Sequence, residues 1–407
     1  MPDFNEMPRQ FFDRIAFGAI WLLIFVIPME NIVVIEGIGT VSRLIGALCM
    51  VFACVAFMCR RQGIGYGPLN VMFAIFLFWS LATCLWTIDL TRSSRAIWSL
   101  IQLFLFAWLV WNFGRLVRRQ AALLKAYVLG GYVASVSTLY AFVVGTQSTY
   151  MRYSAQGFDP NDLGLTLALG VPMAWSISLS EQEKTPVRWI SAGFIPLALL
   201  AILLTASRAA FVALTLAMCY VLLTWRDIPR KAKALPLLLA PLFLWGVYRV
   251  VPSYSWSRIS TISAEIGAGT LNSRATIWRD GLDALAHSPI LGTGVGTFPA
   301  ALENHAGYAA ASHNLFLSIV VGQGFVGLIL FFALLLASFR QIGVMMRANR
   351  LLWTAMLITW MAGVMTLSWE VRKPTWLLLA LIANQAAIDY ERRRANRLPS
   401  SLRPVPG

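Results

Sequence analysis

Twelve apolar stretches, each close to the length needed to cross a bilayer, leave this 407-residue chain few choices of fold. A spanning helix needs about 20 mostly apolar residues. Runs of that kind fall near 15–34, 41–59, 69–87, 96–113, 123–144, 162–180, 187–206, 208–225, 234–251, 312–338, 351–368 and 374–390. Only the short polar turn Thr205-Ala206-Ser207-Arg208 separates the seventh from the eighth. An unbroken helix there would be too long for the bilayer, so a turn is expected. The expected fold is an all-α polytopic membrane protein of about 12 transmembrane helices. Composition agrees: 58% of residues are hydrophobic and 13% charged, where a soluble domain carries about 25% charged residues. No small-residue cleavage pattern follows the first run, which therefore reads as a retained helix and not a signal peptide.

The net charge of +15 could suggest a nucleic-acid partner, but its placement points to topology. With the N-terminus in the cytoplasm, 22 of the 33 lysines and arginines fall on the inner side, as the positive-inside rule requires. An even number of spans then puts both termini inside. The organisation expected is nine spans in 1–251, a large outer loop at 252–311, three spans in 312–390, and an inner tail at 391–407. That tail, with Glu391-Arg392-Arg393-Arg394, reads as an anchor on anionic lipid. No basic soluble domain supports nucleic-acid binding. Cys49, Cys54, Cys59, Cys84 and Cys219 all lie in apolar stretches without CxxC spacing, so neither disulfides nor a zinc site is indicated.

The loop 252–311 is too polar to span. Within it, Ser273 to Ala286 reads as an amphipathic helix, with Ile277, Trp278, Leu282 and Leu285 apolar, Ser273 as N-cap and His287-Ser288-Pro289 as terminator. Ionisable residues near the membrane are the candidates for chemistry, because burying them is costly. Arg208 opens the eighth span; its bland alternative is a snorkelling interfacial arginine. Arg274 opens the amphipathic helix, where a cation opposes the helix dipole and the free amides favour an anion; a solvated loop arginine is the alternative. His313 stands where the chain re-enters the membrane, and a structural histidine is the competing reading. The glycines of Leu291-Gly292-Thr293-Gly294-Val295-Gly296-Thr297-Phe298 lack the Lys-Ser/Thr pair of a phosphate loop and the third glycine of a dinucleotide fingerprint, so a tight turn is expected. At Phe158-Asp159-Pro160-Asn161-Asp162, Asn161 or Asp162 is expected to cap the sixth span, with a divalent cation on Asp159 and Asp162 as the lesser alternative. Trp256, Trp278, Phe298 and Tyr308 either anchor the loop or flank a sugar.

Taken in order, Phe158-Asp159-Pro160-Asn161-Asp162, Thr205-Ala206-Ser207-Arg208-Ala209, Arg274-Ala275-Thr276-Ile277-Trp278, the glycine stretch, and His313-Asn314 followed by Gly324-Phe325-Val326-Gly327 resemble the O-antigen ligase and polymerase superfamily. The resemblance implies a glycosyltransferase of the bacterial inner membrane whose active site faces the periplasm. It would take a glycan from undecaprenyl pyrophosphate. The acceptor is a lipid A core hydroxyl in the ligase branch, which is the expected activity, or another lipid-linked repeat unit in the polymerase branch of O-antigen or exopolysaccharide synthesis. Leu328, directly after the Gly-x-x-Gly, departs from the β-branched residue frequent in ligases. By motif match Arg208 and Arg274 correspond to the essential arginines and His313 to the essential histidine. Arg279, Asn314, Asp159, Asn161 and Trp278 are the expected substrate contacts. Two arginines can compensate a pyrophosphate leaving group without a metal, and a histidine near its reference pKa of ~6.5 can accept the acceptor hydroxyl's proton. The expected enzyme is therefore inverting, with neither metal nor cofactor. A transporter or flippase would need polar groups at mid-membrane and inverted repeats. A non-enzymatic envelope assembly protein would not need the three matched residues.

Overall fold

The computed structural model describes residues 6–37, 39–59, 65–228, 230–262 and 274–397. Among them are fifteen helices and one two-stranded hairpin, β1 (Val34–Ile35) with β2 (Gly39–Thr40). The first nine helices run back and forth: α1 (Glu6–Val26), α2 (Val41–Cys59), α3 (Pro68–Ala82), α4 (Leu90–Gly114), α5 (Val117–Val144), α6 (Pro160–Leu179), α7 (Thr185–Leu204), α8 (Arg208–Thr224) and α9 (Arg230–Val250). Three short helices follow, α10 (Ser253–Ser260), α11 (Arg274–Leu285) and α12 (Phe298–Ala306). The chain closes with α13 (Leu315–Gly343), α14 (Arg347–Val364) and α15 (Lys373–Arg397).

The protein is an all-α polytopic membrane protein. Among the described residues ten helices, α1 to α9 and α13, are long and apolar enough to cross a membrane by length and composition. The two remaining expected spans, 351–368 and 374–390, are also helices, but more polar ones. The reason lies in what surrounds them. Asn384 and Asp389 of α15 are wholly buried. Asn384 donates to the Val110 carbonyl of α4 at 2.9 Å. Asp389 accepts from the Met346 N–H at 2.8 Å and from Asn349 and Gln385, which ties α15 to the start of α14. A helix whose neighbours are protein need not be lipophilic, so hydropathy undercounts it.

The apolar core runs the length of the bundle and centres on α6, buried on all sides against α5, α7, α8 and α14. Small residues permit that crowding. A Cβ on Gly164 would sit 2.3 Å from the Ala210 methyl, so glycine there brings the starts of α6 and α8 together. The expected turn between the seventh and eighth spans is present, with α7 ending at Leu204 and α8 beginning at Arg208.

A second device shapes α13. At Gly324 the backbone leaves the helix (φ 66°, ψ −173°), breaking it in mid-course. The glycine-rich stretch of 288–298 fills the break: Thr293 and Gly294 donate to the carbonyls of Val321 and Gly322 at 3.0 and 2.7 Å, and Phe325 donates to Pro289 at 2.9 Å. Helix breaks at membrane depth are tolerated when protein re-satisfies the freed groups in this way. The contact leaves no room for side chains. A Cβ on Gly324 would lie 2.0 Å from the Ile290 oxygen, and one on Gly292 2.4 Å from the Gly324 nitrogen. The stretch is thus the tight turn expected, and its close backbone approach is to α13.

Candidate functional site

The candidate residues gather at the loop-rich end of the bundle, around the turn between α7 and α8. Asp159 is the N-cap of α6 and accepts from Asn161 N–H at 2.8 Å and Asp162 N–H at 3.3 Å. The expectation that Asn161 or Asp162 would cap is corrected. Proline has no N–H and a fixed φ, so Pro160 takes the first helical position and the residue before it becomes the cap. Asn161 is thereby released for another role. Its Oδ1 accepts from Ser207 Oγ at 2.7 Å and from Arg152 Nη2 at 2.9 Å, stitching the start of α6 to the turn before α8. Ser207 caps α8.

The end of α7 presents carbonyls without intrahelical partners, as every helix C-terminus does. Here they are answered in turn: Leu204 by the Tyr153 N–H at 3.0 Å, Thr205 by Arg152 Nε at 2.8 Å, and Ala206 by Arg258 Nε at 3.0 Å. Two arginines from distant segments thus converge on the turn from which Arg208 departs. Arg208 itself donates to Thr261 Oγ1 at 3.3 Å. Val247 and Val251 at the end of α9 pack on Leu203, which sets α10 and Arg258 above this turn. Arg152 and Arg258 were not singled out from the sequence. The available signal was that both are arginines, not lysines, on short segments between apolar runs that are otherwise poor in charge.

Arg274, first residue of α11, completes the group; the expected N-cap Ser273 lies outside the described residues. Burial lowers the Arg274 pKa, and the neighbouring Arg208 and Arg258 lower it further, opposed by Asp159. Arg152 is pushed down to about 10, first by burial and then by Arg258, with Asp159 again opposing and Arg274 adding to the fall. Like charges held in a partly desolvated place disfavour their own protonated forms. Arg152, Arg208, Arg258 and Arg274 thus lie close enough to sense one another, with the exposed carboxylate of Asp159 opposing the shifts of Arg152 and Arg274.

His313 senses the same cluster. Burial is the main cause holding its pKa below the ordinary histidine value, followed by Arg274, with Asp159 and Asp162 pulling the other way. Its backbone is left-handed (φ 46°), as are those of Ala206 (φ 48°) and Met151 (φ 51°). All three non-glycine residues in this region flank the arginine cluster, a distribution typical of functional sites. The neighbours of His313 hold it there. Asn314 caps α13, accepting from Phe316 and Leu317 N–H at 3.0 Å each, and its amide donates to Met365 O at 3.2 Å. Ser312 bonds Ser368 Oγ at 2.7 Å, and the Trp278 indole donates to the Ser312 carbonyl at 2.9 Å.

Not every expected contact joins the cluster. Arg279 is exposed and leaves α11 about 140° around the helix axis from Arg274. Trp278 and Asn314 have their polar groups committed to backbone partners. Asp162 accepts from the Trp369 indole at 2.9 Å and from Arg372 at 2.8 Å, so it fastens the loop between α14 and α15. Among the described residues, no three His, Cys, Asp or Glu side chains converge in a way that could hold a metal. The other aromatic residues serve as anchors: Phe298 is buried and Tyr308 donates to Asp280 at 2.7 Å.

Residues 193–332 match the protein family described as O-antigen ligase. No curated protein matches the chain. The matched stretch runs from α7 into α13 and contains Arg208, Arg258, Arg274, His313, Gly324 and Gly327, while Arg152, Asp159 and Asn161 lie before it and join the site through the fold. It supports glycosyl transfer of the ligase or polymerase type in a multi-pass membrane protein. The region that holds the arginine–histidine end of this helical bundle is thus similar to O-antigen ligases, which supports the O-antigen ligase and polymerase superfamily for the chain.

Proposed function

We propose that the protein transfers a glycan from undecaprenyl pyrophosphate to an acceptor hydroxyl at the periplasmic face of the inner membrane, with the lipid A core as acceptor. The observation that carries this reading is the cluster of Arg152, Arg208, Arg258 and Arg274 beside His313. Guanidiniums that disfavour one another's charge make a setting into which a pyrophosphate would bring compensating charge. Planar forks suit its oxygens better than ammonium groups do. In this orientation 252–311 lies in the periplasm, and 391–407 in the cytoplasm, where its arginines meet anionic lipid.

The chemistry is a single displacement. The acceptor oxygen attacks the anomeric carbon as His313 takes its proton. The bond from that carbon to the phosphate oxygen breaks, and its electron pair leaves with the lipid pyrophosphate, whose added charge the arginines neutralise. Attack opposite the leaving group inverts the anomeric centre. A histidine held below its ordinary pKa is neutral near pH 7 and therefore ready to act as the base. Arg208 and Arg274 bind the pyrophosphate. Arg152 and Arg258 combine that task with closing the end of α7. Asp159 and Asn161 set the cluster's geometry, Asn314 acts through the position of His313, and Arg279 and Trp278 line the approach of the sugars. No step requires a metal.

Leu328 favours a second reading, the joining of two lipid-linked repeat units, because a β-branched residue is frequent at that place in ligases. Purified protein in liposomes, given a lipid-linked oligosaccharide and either lipid A core or a second lipid-linked unit, separates the two. Transfer to the core, lost in His313→Ala at normal protein abundance, supports the ligase. Elongated lipid-linked product supports the polymerase. Transfer undiminished in His313→Ala rejects the mechanism in both forms.

A further inference from the structure

Two of the three histidines stand apart from the candidate site, at the far end of the α11–α12 pair. His287 lies just beyond α11 and His305 in the last turn of α12. Their rings meet at a centroid separation of 5.4 Å and an interplanar angle of 61°, both exposed to solvent. We infer that His287 and His305 form a two-histidine binding site for a borderline divalent transition metal, of the Zn²⁺, Ni²⁺ or Cu²⁺ class, that clasps α11 to α12.

The separation, that of an edge-to-face ring contact, is also one that a shared metal can span. Imidazole nitrogens bind such ions at about 2.0–2.1 Å, which places the metal roughly 3.2 Å from each ring centre; at a tetrahedral angle the two centres then stand about 5.2 Å apart. The tautomer is also set. His287 Nδ1 lies 3.2 Å from the Asp283 carbonyl oxygen. A carbonyl can only accept, so Nδ1 carries the proton and Nε2 presents its lone pair. A ring N–H donated to a carbonyl is the usual support behind a metal-binding histidine. The two helices are held in place independently of any ion. Ala284 and Leu285 pack with Phe298, Ala301 and Leu302, and Gly281 admits the Phe298 ring, which a Cβ there would meet at 2.8 Å. The pair is therefore pre-positioned.

With no third protein ligand converging among the described residues, water completes the coordination. Imidazole as the only protein ligand selects Zn²⁺, Ni²⁺ and Cu²⁺ over Mg²⁺ and Ca²⁺, which prefer oxygen. The clasp would stiffen α11, whose opposite end carries Arg274, without entering the arginine cluster. This inference does not rest on the glycan-transfer reading.

The test uses the full chain in detergent with any polyhistidine tag removed, titrated calorimetrically with Ni²⁺. One saturable site is expected, weakened by at least about tenfold in His287→Gln and, separately, in His305→Gln. His313→Gln should leave it unchanged. Saturating Ni²⁺ should raise the melting temperature of the wild type and of neither single variant. Both positions are exposed, so both variants should fold, and equal melting temperatures without metal will verify it. The inference is overturned if the wild type shows no saturable Ni²⁺ binding, if either variant binds as the wild type does, or if Mg²⁺ competes on equal terms.

Discussion

Replacing Arg152 separates the electrostatic reading of this site from a purely structural one. Arg152 lies outside the stretch that matches the O-antigen ligase family, and its guanidinium donates to Thr205 O at 2.8 Å and Asn161 Oδ1 at 2.9 Å. As part of a pyrophosphate site it should contribute on the order of 1.5–3 kcal/mol to donor binding, the range for hydrogen bonds to charged groups. Arg152→Ala should therefore weaken binding of a lipid pyrophosphate by roughly 10- to 150-fold. The informative variant is Arg152→Lys. The wild-type environment brings a guanidinium down to about 10, through burial and the neighbouring Arg258 and Arg274. An ammonium starts from ~10.4, about two units lower than a free guanidinium, so the same surroundings bring it into the neutral range. A cation with a lowered pKa loses its charge as pH rises. The lysine variant should bind donor more weakly than wild type even at pH 6, for want of the planar fork, and progressively worse toward pH 9, while the wild type stays flat over that interval. Binding would be followed by fluorescence of a labelled undecaprenyl pyrophosphate analogue in nanodiscs. Parallel pH profiles for the two proteins would refute the argument. So would an Arg152→Ala variant that loses thermal stability yet keeps full donor affinity, since Arg152 would then be only the cap of α7.

The pKa of His313 is lowered by burial and by Arg274, so the acid limb of kcat/KM should fall below pH 6.5, the ordinary histidine value. Bound pyrophosphate offsets the arginines, so the limb in kcat should lie at higher pH; coincident limbs would show that the two sites do not sense each other. The same shift predicts that His313 costs stability as pH falls from 6.5 through its folded-state value, where the unfolded chain takes up the proton more readily; His313→Ala should remove that part of the acid dependence of melting. Gly324→Ala should lower abundance and melting temperature sharply, because its Cβ would lie 2.0 Å from Ile290 O at a φ of 66°, whereas Gly343→Ala, with open space around it, should be neutral. Excess chelator should leave transfer by the purified protein largely intact; complete loss restored by one metal would require a metal in the chemistry. Reporter fusions after Arg394 should be cytoplasmic and those within 260–305 periplasmic, and a periplasmic C-terminal reporter would end the topology proposed.

The fold was legible because a bilayer imposes one simple rule, and apolar runs of spanning length report it directly. What hydropathy could not convey was the difference between facing lipid and facing protein. The α15 helix carries Asn384, Gln385 and Asp389 and is nonetheless among the most buried, because Asn384 and Asp389 satisfy backbone groups of α4 and of the start of α14, while Gln385 donates to Asp389. The break in α13 was not legible either. The glycines of 288–298 announced a turn, but that the turn docks into a second glycine site, at Gly324, follows from two segments meeting across the chain.

The candidate site shows the same division more sharply. Arg208 and His313 could be found because each stands where an apolar run meets a polar one, and Arg274 because it opens an amphipathic helix, places that can be read along the chain. Arg152 sits in a loop and Arg258 in the short helix α10, and nothing local in the sequence distinguishes them from solvated arginines. Their position comes from the end of α7, where three successive carbonyls need donors. The Tyr153 N–H answers one and two arginines answer the other two, each through its Nε, which leaves terminal N–H groups for other partners. A lysine could cap a carbonyl, but it could not cap and still offer a planar fork to a second ligand. Two chemical demands, closing a helix end and holding a polyanion, thus converge on the same residue type. That convergence explains why the cluster is built from arginine, and why a lysine substituted at Arg152 should fail by shape at any pH and further by charge as pH rises.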